Sequence, residues 1–80
     1  MGVLSAEIQA LAVDVSCNNE ALHVTLADGR EISVPLEWYP RLLDATPKER
    51  NNWTVIGGGL GIHWEDLDED VTVESLLRLR

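Results

Sequence analysis

Apolar and polar residues alternate with a period of two in three stretches of the first half of the chain. "LAVDVS" sets Leu11, Val13 and Val15 against Ala12, Asp14 and Ser16. "ALHVTLA" sets Leu22, Val24 and Leu26 against His23 and Thr25, and "REISVPL" places Ile32, Val34 and Leu36 on one side. Such alternation predicts half-buried strands whose apolar side faces a core. "CNNE" separates the first two with turn-forming asparagines. Asp28-Gly29 separates the second and third, and predicts a two-residue hairpin turn, because that turn demands positive φ angles. A three-strand antiparallel meander follows.

The period then changes. In "EWYPRLLDA", Trp38, Leu42 and Ala45 have helical spacing with Leu43 beside them, and Pro40 suits the first turn of a short helix. "TPKE" reads as a capping box, with Thr46 as cap and Glu49 reaching back to it, ahead of a helix over 47–51. "WTVIG" predicts a fourth strand and "GIHW" a short fifth segment, joined by a flexible turn in the glycines of "GGGLG". Thr72 caps a last helix, "VESLLRL", with Val71 and Leu76 at hydrophobic-staple spacing. The predicted fold is α+β: an antiparallel sheet, the three-strand meander plus one or two further short strands, packed by short helices. Leu42, Leu43, Leu76 and Leu77 join the inward strand residues in the core. An open sheet face or edge would allow homodimerisation.

The length, 80 residues, implies a single small domain. Cys17 is the one cysteine, so no internal disulfide forms and a reducing interior is the natural home. "MGVLSAEIQALAVD" has no basic leader region, and no apolar run approaches the roughly 20 residues needed to span a bilayer. The expectation is a cytoplasmic protein with no membrane association. The net charge is −8, and its distribution matters more than its size. Glu65, Asp66, Asp68, Glu69, Asp70 and Glu74 lie together without a basic residue, whereas the rest of the chain is near neutral. This opposes direct nucleic-acid binding, which depends on lysine and arginine neutralising phosphates. It favours a basic protein partner.

"GIHWEDLDED" over 61–70 is the stretch with candidate chemistry. Calcium is the first possibility. From Asp66, Asp68 and Asp70 match positions 3 and 5 of an EF-hand loop, but Val71 stands where glycine is needed and Leu77 where glutamate closes the site. Zinc would need neighbouring soft or imidazole ligands, and Cys17, His23 and His63 are far apart in sequence. The serines and Cys17 lack a nucleophile motif, and "GGGLG" does not complete a dinucleotide fingerprint, so the reading is of a non-enzyme without metal or cofactor. Carboxylates ahead of a helix are favoured by its dipole by about 0.3–1 kcal/mol each, which accounts for part of the run but not for six acids.

The quoted residues also resemble a known family. "LADGREISVPLEWYPRLLDATPKERNNW" followed by "GIHWEDLDEDVTVESLL" is similar to the bacterial family catalogued as domain of unknown function 2442, from about Val13 to Leu77. The shared elements are D-G-R at 28–30, V-P-L at 34–36, W-Y-P-R at 38–41, A-T-P at 45–47, and G-I-H-W with L-D-E-D at 61–70. The resemblance implies a compact α+β domain without assigned chemistry. It also implies occurrence alone or joined to a DNA-binding helix-turn-helix, in some cases beside a second small gene in arrangements that look like toxin–antitoxin pairs. This chain carries no helix-turn-helix segment, so a DNA-binding role would have to come from a partner.

The expected function is a non-catalytic, antitoxin-like interaction module. Its expected contact surface is Trp38, His63, Trp64, Glu65, Asp66, Asp68, Glu69 and Asp70, in which the acids steer a basic protein and the two tryptophans anchor it. The alternative is a small ligand- or metal-sensing domain using His63 and the adjacent carboxylates.

Overall fold

The computed structural model describes residues 10–78. The reading that no leader precedes the fold rests largely on residues 1–9, outside the described residues. The described chain is α+β, as its pattern predicts. Strands β1 (Ala12–Cys17), β2 (Ala21–Leu26) and β3 (Glu31–Pro35) form one antiparallel meander. Strands β4 (Trp53–Ile56), β5 (Gly61–Trp64) and β6 (Glu69–Thr72) form a second. Helices α1 (Pro40–Leu43) and α2 (Pro47–Arg50) link the two sheets, and α3 (Val73–Leu77) follows β6. Among the described residues the strands beyond the first meander are therefore three, and they make a sheet of their own.

β1 departs from strict alternation. Ala12 pairs with Leu26 and Asp14 with Thr25, so Val13 is an extra residue in a β-bulge. The bulge shifts the phase of the strand: Ala12 and Val15 are buried, while Val13, expected inward, is 55% exposed. β2 keeps its phase, with Leu22, Val24 and Leu26 all buried. The turn to β3 is also wider than the two-residue form. The Leu26 amide donates to the Arg30 carbonyl at 2.8 Å and the Gly29 amide to the Leu26 carbonyl at 3.0 Å. Gly29 has φ 94° and Asp28 has no positive φ, which defines a three-residue loop with a glycine bulge.

Both sheets contribute to one core. Leu22, Val24, Leu26 and Val34 come from the first, and Ile62, Trp64 and Val71 from the second, joined by Leu36, Leu42, Val73 and Leu76. Leu43 and Leu77, expected in this core, are 42% and 49% exposed. Helices of four and five residues have room for only one inward stripe, and Leu42 and Leu76 occupy it. The Thr46 capping box is formed, with its hydroxyl accepting from the Glu49 amide at 3.2 Å and the Glu49 carboxylate accepting from the Thr46 amide at 2.8 Å. Thr72 caps α3 through the Ser75 amide at 3.2 Å, and Val71 and Leu76, the proposed staple, are both buried.

Gly57, Gly58 and Gly59 connect β4 to β5 with φ of 63°, 68° and 111°. At Gly59 a Cβ would lie 2.8 Å from Leu11 Cβ, so only hydrogen fits where this turn crosses the start of β1.

Candidate interaction surface

The acidic segment is the β5–β6 hairpin. Register pairs Trp64 with Glu69, His63 with Asp70, Ile62 with Val71 and Gly61 with Thr72, leaving Glu65, Asp66, Leu67 and Asp68 as the loop. Residues 65–67 make a 3-10 turn, and Asp68 closes it in the left-handed conformation, at φ 51° and ψ 46°. A short polar side chain tolerates that geometry better than most. Successive strand residues face opposite ways. Ile62, Trp64 and Val71 point to the core, so His63 and Asp70 point out. This places Glu65, Asp66, Asp68 and Asp70 on the surface, while Glu69 is half-buried beneath the hairpin end.

Trp64 must be corrected. It is 0% exposed, and its indole Nε1 donates to the Arg50 carbonyl at 3.0 Å. It anchors the hairpin from below and offers nothing to a partner. The signal was present in "GIHW", since period two puts Trp64 on the same side as Ile62. Trp38 is half-buried and packs against the core. The aromatic half of the expected surface is thus structural at Trp64, and the acids remain.

His63 lies between two of them. Its Nδ1 is 2.5 Å from Asp70 Oδ1 and its Nε2 is 3.0 Å from Glu65 Oε1. Hydrogen bonding to Asp70 first, then to Glu65, holds the imidazole pKa above its ordinary value of about 6.5. Both ring nitrogens are engaged, so His63 has no free lone pair directed at a substrate, as a general base would require. Among the described residues, no three His, Cys, Asp or Glu side chains are arranged to hold a metal ion.

Sequence reasoning missed the roles of two arginines. Arg41, on α1, donates from one guanidinium nitrogen to the carbonyls of Leu67 and Asp68, both at 3.1 Å, and its Nε is 3.9 Å from Glu69. Arg41 therefore holds the hairpin loop through its backbone carbonyls. Arg50 is buried, donating to the Leu42 and Leu43 carbonyls, each at 2.8 Å, and to Asn19 Oδ1 at 3.1 Å. These carbonyls end α1, where helical partners run out and the dipole is negative.

A second polar cluster lies on the outer face of the first sheet. Asn18 Oδ1 accepts from the Glu20 and Ala21 amides at 2.7 Å, which directs its Nδ2 toward His23 Nε2 at 3.4 Å. His23 Nε2 is thereby the acceptor, and Nδ1–H donates to Ser33 Oγ at 2.7 Å. A protonated nitrogen facing the hydroxyl cannot take its proton, so the pair does not activate Ser33.

The fold and surface together define a small α+β domain with an acidic hairpin. Residues 12–80 match the family model described as protein of unknown function, DUF2442. The chain belongs to this family. Its architecture is similar to the crystal structure of a protein of unknown function from Rhodospirillum rubrum, with TM-score 0.76 and 24% identity over 88% of this chain and 87% of that one. It is also similar to the solution structure of an uncharacterised protein from Chromobacterium violaceum, with TM-score 0.73 and 27% identity over 95% of this chain and 71% of that one. No curated protein matches the sequence. No helix among the described residues is long and apolar enough to cross a membrane.

Proposed function

We propose that this chain is a non-catalytic interaction module of the bacterial cytoplasm, antitoxin-like in pairing with a basic protein, and that the β5–β6 hairpin is its contact surface. The observation that carries this reading is the division of labour in the hairpin. Trp64 and Arg41 hold it through a buried indole and two backbone carbonyls, and the side chains of Asp66, Asp68 and Asp70 are left on the surface. Exposed like charges on a rigid support produce a local field that speeds encounter with a basic surface.

The experiment is affinity capture of the tagged protein from its native lysate at low salt, beside a variant carrying Asp66→Asn, Asp68→Asn and Asp70→Asn. One basic protein retained by the wild type and lost by the folded variant is the expected result. Equal recovery of that protein on both would remove the hairpin acids from the interface. Small-ligand or metal sensing by His63 is the second reading; it requires Glu65 and Asp70 to release the imidazole, because both ring nitrogens are engaged and no three side chains among the described residues converge on a cation. A saturable change in tryptophan fluorescence with a divalent cation well below millimolar would support it.

A further inference from the structure

The glycine turn does more than connect two strands. With Gly59 seated against Leu11 and Ala12, the next residue, Leu60, is turned outward and is 49% exposed. Its carbonyl accepts from the Val73 amide at 2.9 Å, which ties it to the first turn of α3. Leu77 lies one helical turn beyond Val73. Between these elements runs a groove of about 410 Å³ lined by Ala10, Leu60, Thr72, Val73, Glu74 and Leu77. Its walls are apolar, and Thr72 and Glu74 form the polar rim.

Thr72, in the groove wall, also stands on the outer face of the second sheet. Register places Ile56, Gly61 and Thr72 in one row and Thr54, His63 and Asp70 in the next. Ile56 lies over Gly61, where a Cβ would come within 3.3 Å of Ile56 Cγ1, and it is itself well exposed. Ile56 thus adds exposed apolar surface on the row that shares Thr72 with the groove, and this row runs beside one ending in Asp70. Rows two residues apart along a strand are about 7 Å apart, the spacing of alternate side chains in an extended peptide.

We propose that this groove receives a partner segment in which large apolar side chains are flanked by lysine or arginine. The inference rests on the partner-binding reading above, and it supplies the apolar anchor that Trp64 does not. Charge complementarity selects the occupant. Asp70, which engages His63, and Glu74 border the apolar strip, and Glu74 pairs with the exposed Arg78 at 3.5 Å, a contact that solvent weakens and a basic segment can displace. A second copy would bring another net charge of −8, and residues 1–9 contain Glu7 and no lysine or arginine, so neither matches the rim.

The test uses the full chain, labelled with nitrogen-15, and three fluorescein-tagged synthetic heptapeptides, alternating lysine–leucine, lysine–serine and glutamate–leucine. The protein variants are the pair Leu60→Ser with Leu77→Ser and the pair Asp70→Asn with Glu74→Gln, all at exposed positions. The lysine–leucine peptide is expected to bind saturably and to shift the amides of Leu60, Thr72, Val73 and Leu77. The leucine variant should weaken it by at least ~10-fold and the charge variant by roughly 3-fold at low salt, the latter difference vanishing near 0.5 M salt. If lysine–serine binds equally well, or the leucine variant binds like wild type while the charge variant does not, the groove inference falls and the electrostatic reading survives. Equal binding of glutamate–leucine refutes the charge selection. Nuclear Overhauser contacts from Leu60 and Leu77 to residues 1–9 or to a second copy would show the groove filled by this chain itself, and would overturn the inference. If neither pair of substitutions matters, the groove inference falls, and the hairpin reading, which rests also on Asp66 and Asp68, is decided by the triple asparagine variant.

Discussion

Replacing Arg50 tests how the two halves of the fold are joined. Its guanidinium satisfies the carbonyls of Leu42 and Leu43 and the side chain of Asn19, and its own carbonyl accepts from the Trp64 indole. Arg50→Met preserves the aliphatic stem and removes every donor. The Leu42 carbonyl keeps the Ala45 amide at 3.2 Å, so the groups left without this donor are the Leu43 carbonyl and Asn19 Oδ1, each costing about 1–3 kcal/mol, offset in part by no longer burying a cation. A net loss of about 2–4 kcal/mol follows. For 80 residues the total stability is roughly 4–12 kcal/mol, so the variant should lie close to the unfolding threshold. Thermal midpoints should fall by roughly 10–25 °C.

Urea denaturation followed by tryptophan fluorescence measures this, because Trp64 is fully buried when folded. Arg50→Lys separates charge from geometry: a single ammonium cannot span two carbonyls and an amide, so most of the loss should remain. Since carbonyls, not carboxylates, hold the cation, the loss should be the same at pH 5.5 and pH 8. Burial raises the Cys17 thiol pKa and the Arg50 charge partly opposes this, so Arg50→Met should also slow alkylation of Cys17 in the folded protein. A loss below about 1 kcal/mol, or full rescue by lysine, would refute the account of Arg50 as the clamp on the end of α1.

Two further outcomes are expected. The folded-state pKa of His63 is raised, so its contribution to stability is complete below the unfolded value of about 6.5 and is lost as pH rises through the folded value. In a proton NMR titration, His63 should titrate above about 6.5, and Asp70→Asn should bring it back toward that value; an unchanged midpoint would contradict the Asp70 hydrogen bond as the main cause. At the glycine turn, Gly59→Ala combines φ 111° with a 2.8 Å approach to Leu11 Cβ, whereas Gly58→Ala meets open space at φ 68°. Calorimetry should show a loss of about 2–4 kcal/mol for Gly59→Ala and about 1 kcal/mol for Gly58→Ala, and equal losses would contradict the close packing of this turn on β1.

Elements whose own residues carry their signal were legible in the sequence. β2 alternates without interruption, Thr46 and Thr72 cap as their spacing requires, and Pro40 and Pro47 open short helices. What was not legible depends on partners distant in sequence. The bulge at Val13 is a property of the pairing between β1 and β2, and no local pattern marks it. β6 reads "EDVT", with Val71 its only large apolar residue; it is a strand because β5 lies beside it, not because of its own propensity. Arg50 gives no local sign that it closes α1, because Leu42 and Leu43 are eight and seven residues away. Trp64 was misplaced because its neighbours Glu65 and Asp66 suggested surface, when the alternation of "GIHW" already placed it inside.

Because Glu69–Thr72 is a strand, the acids ahead of it have a different place relative to α3. The helix-dipole account needs them at the N-terminus of α3, yet β6 is an extended strand and its residues lead away from the Thr72 cap at about 3.3 Å each. The dipole acts within the first turn, where Glu74 is the acid present. Asp66 and Asp68 belong to a loop at the far end of the strand, held by Arg41 through carbonyls that any residue would supply. Asp66 meets Asn52 and Asp70 meets His63, both at the surface, where such contacts contribute little to stability. The fold therefore constrains the backbone of the hairpin tightly and its charge weakly. A charge concentrated where folding does not demand it is the feature that an interaction surface would explain.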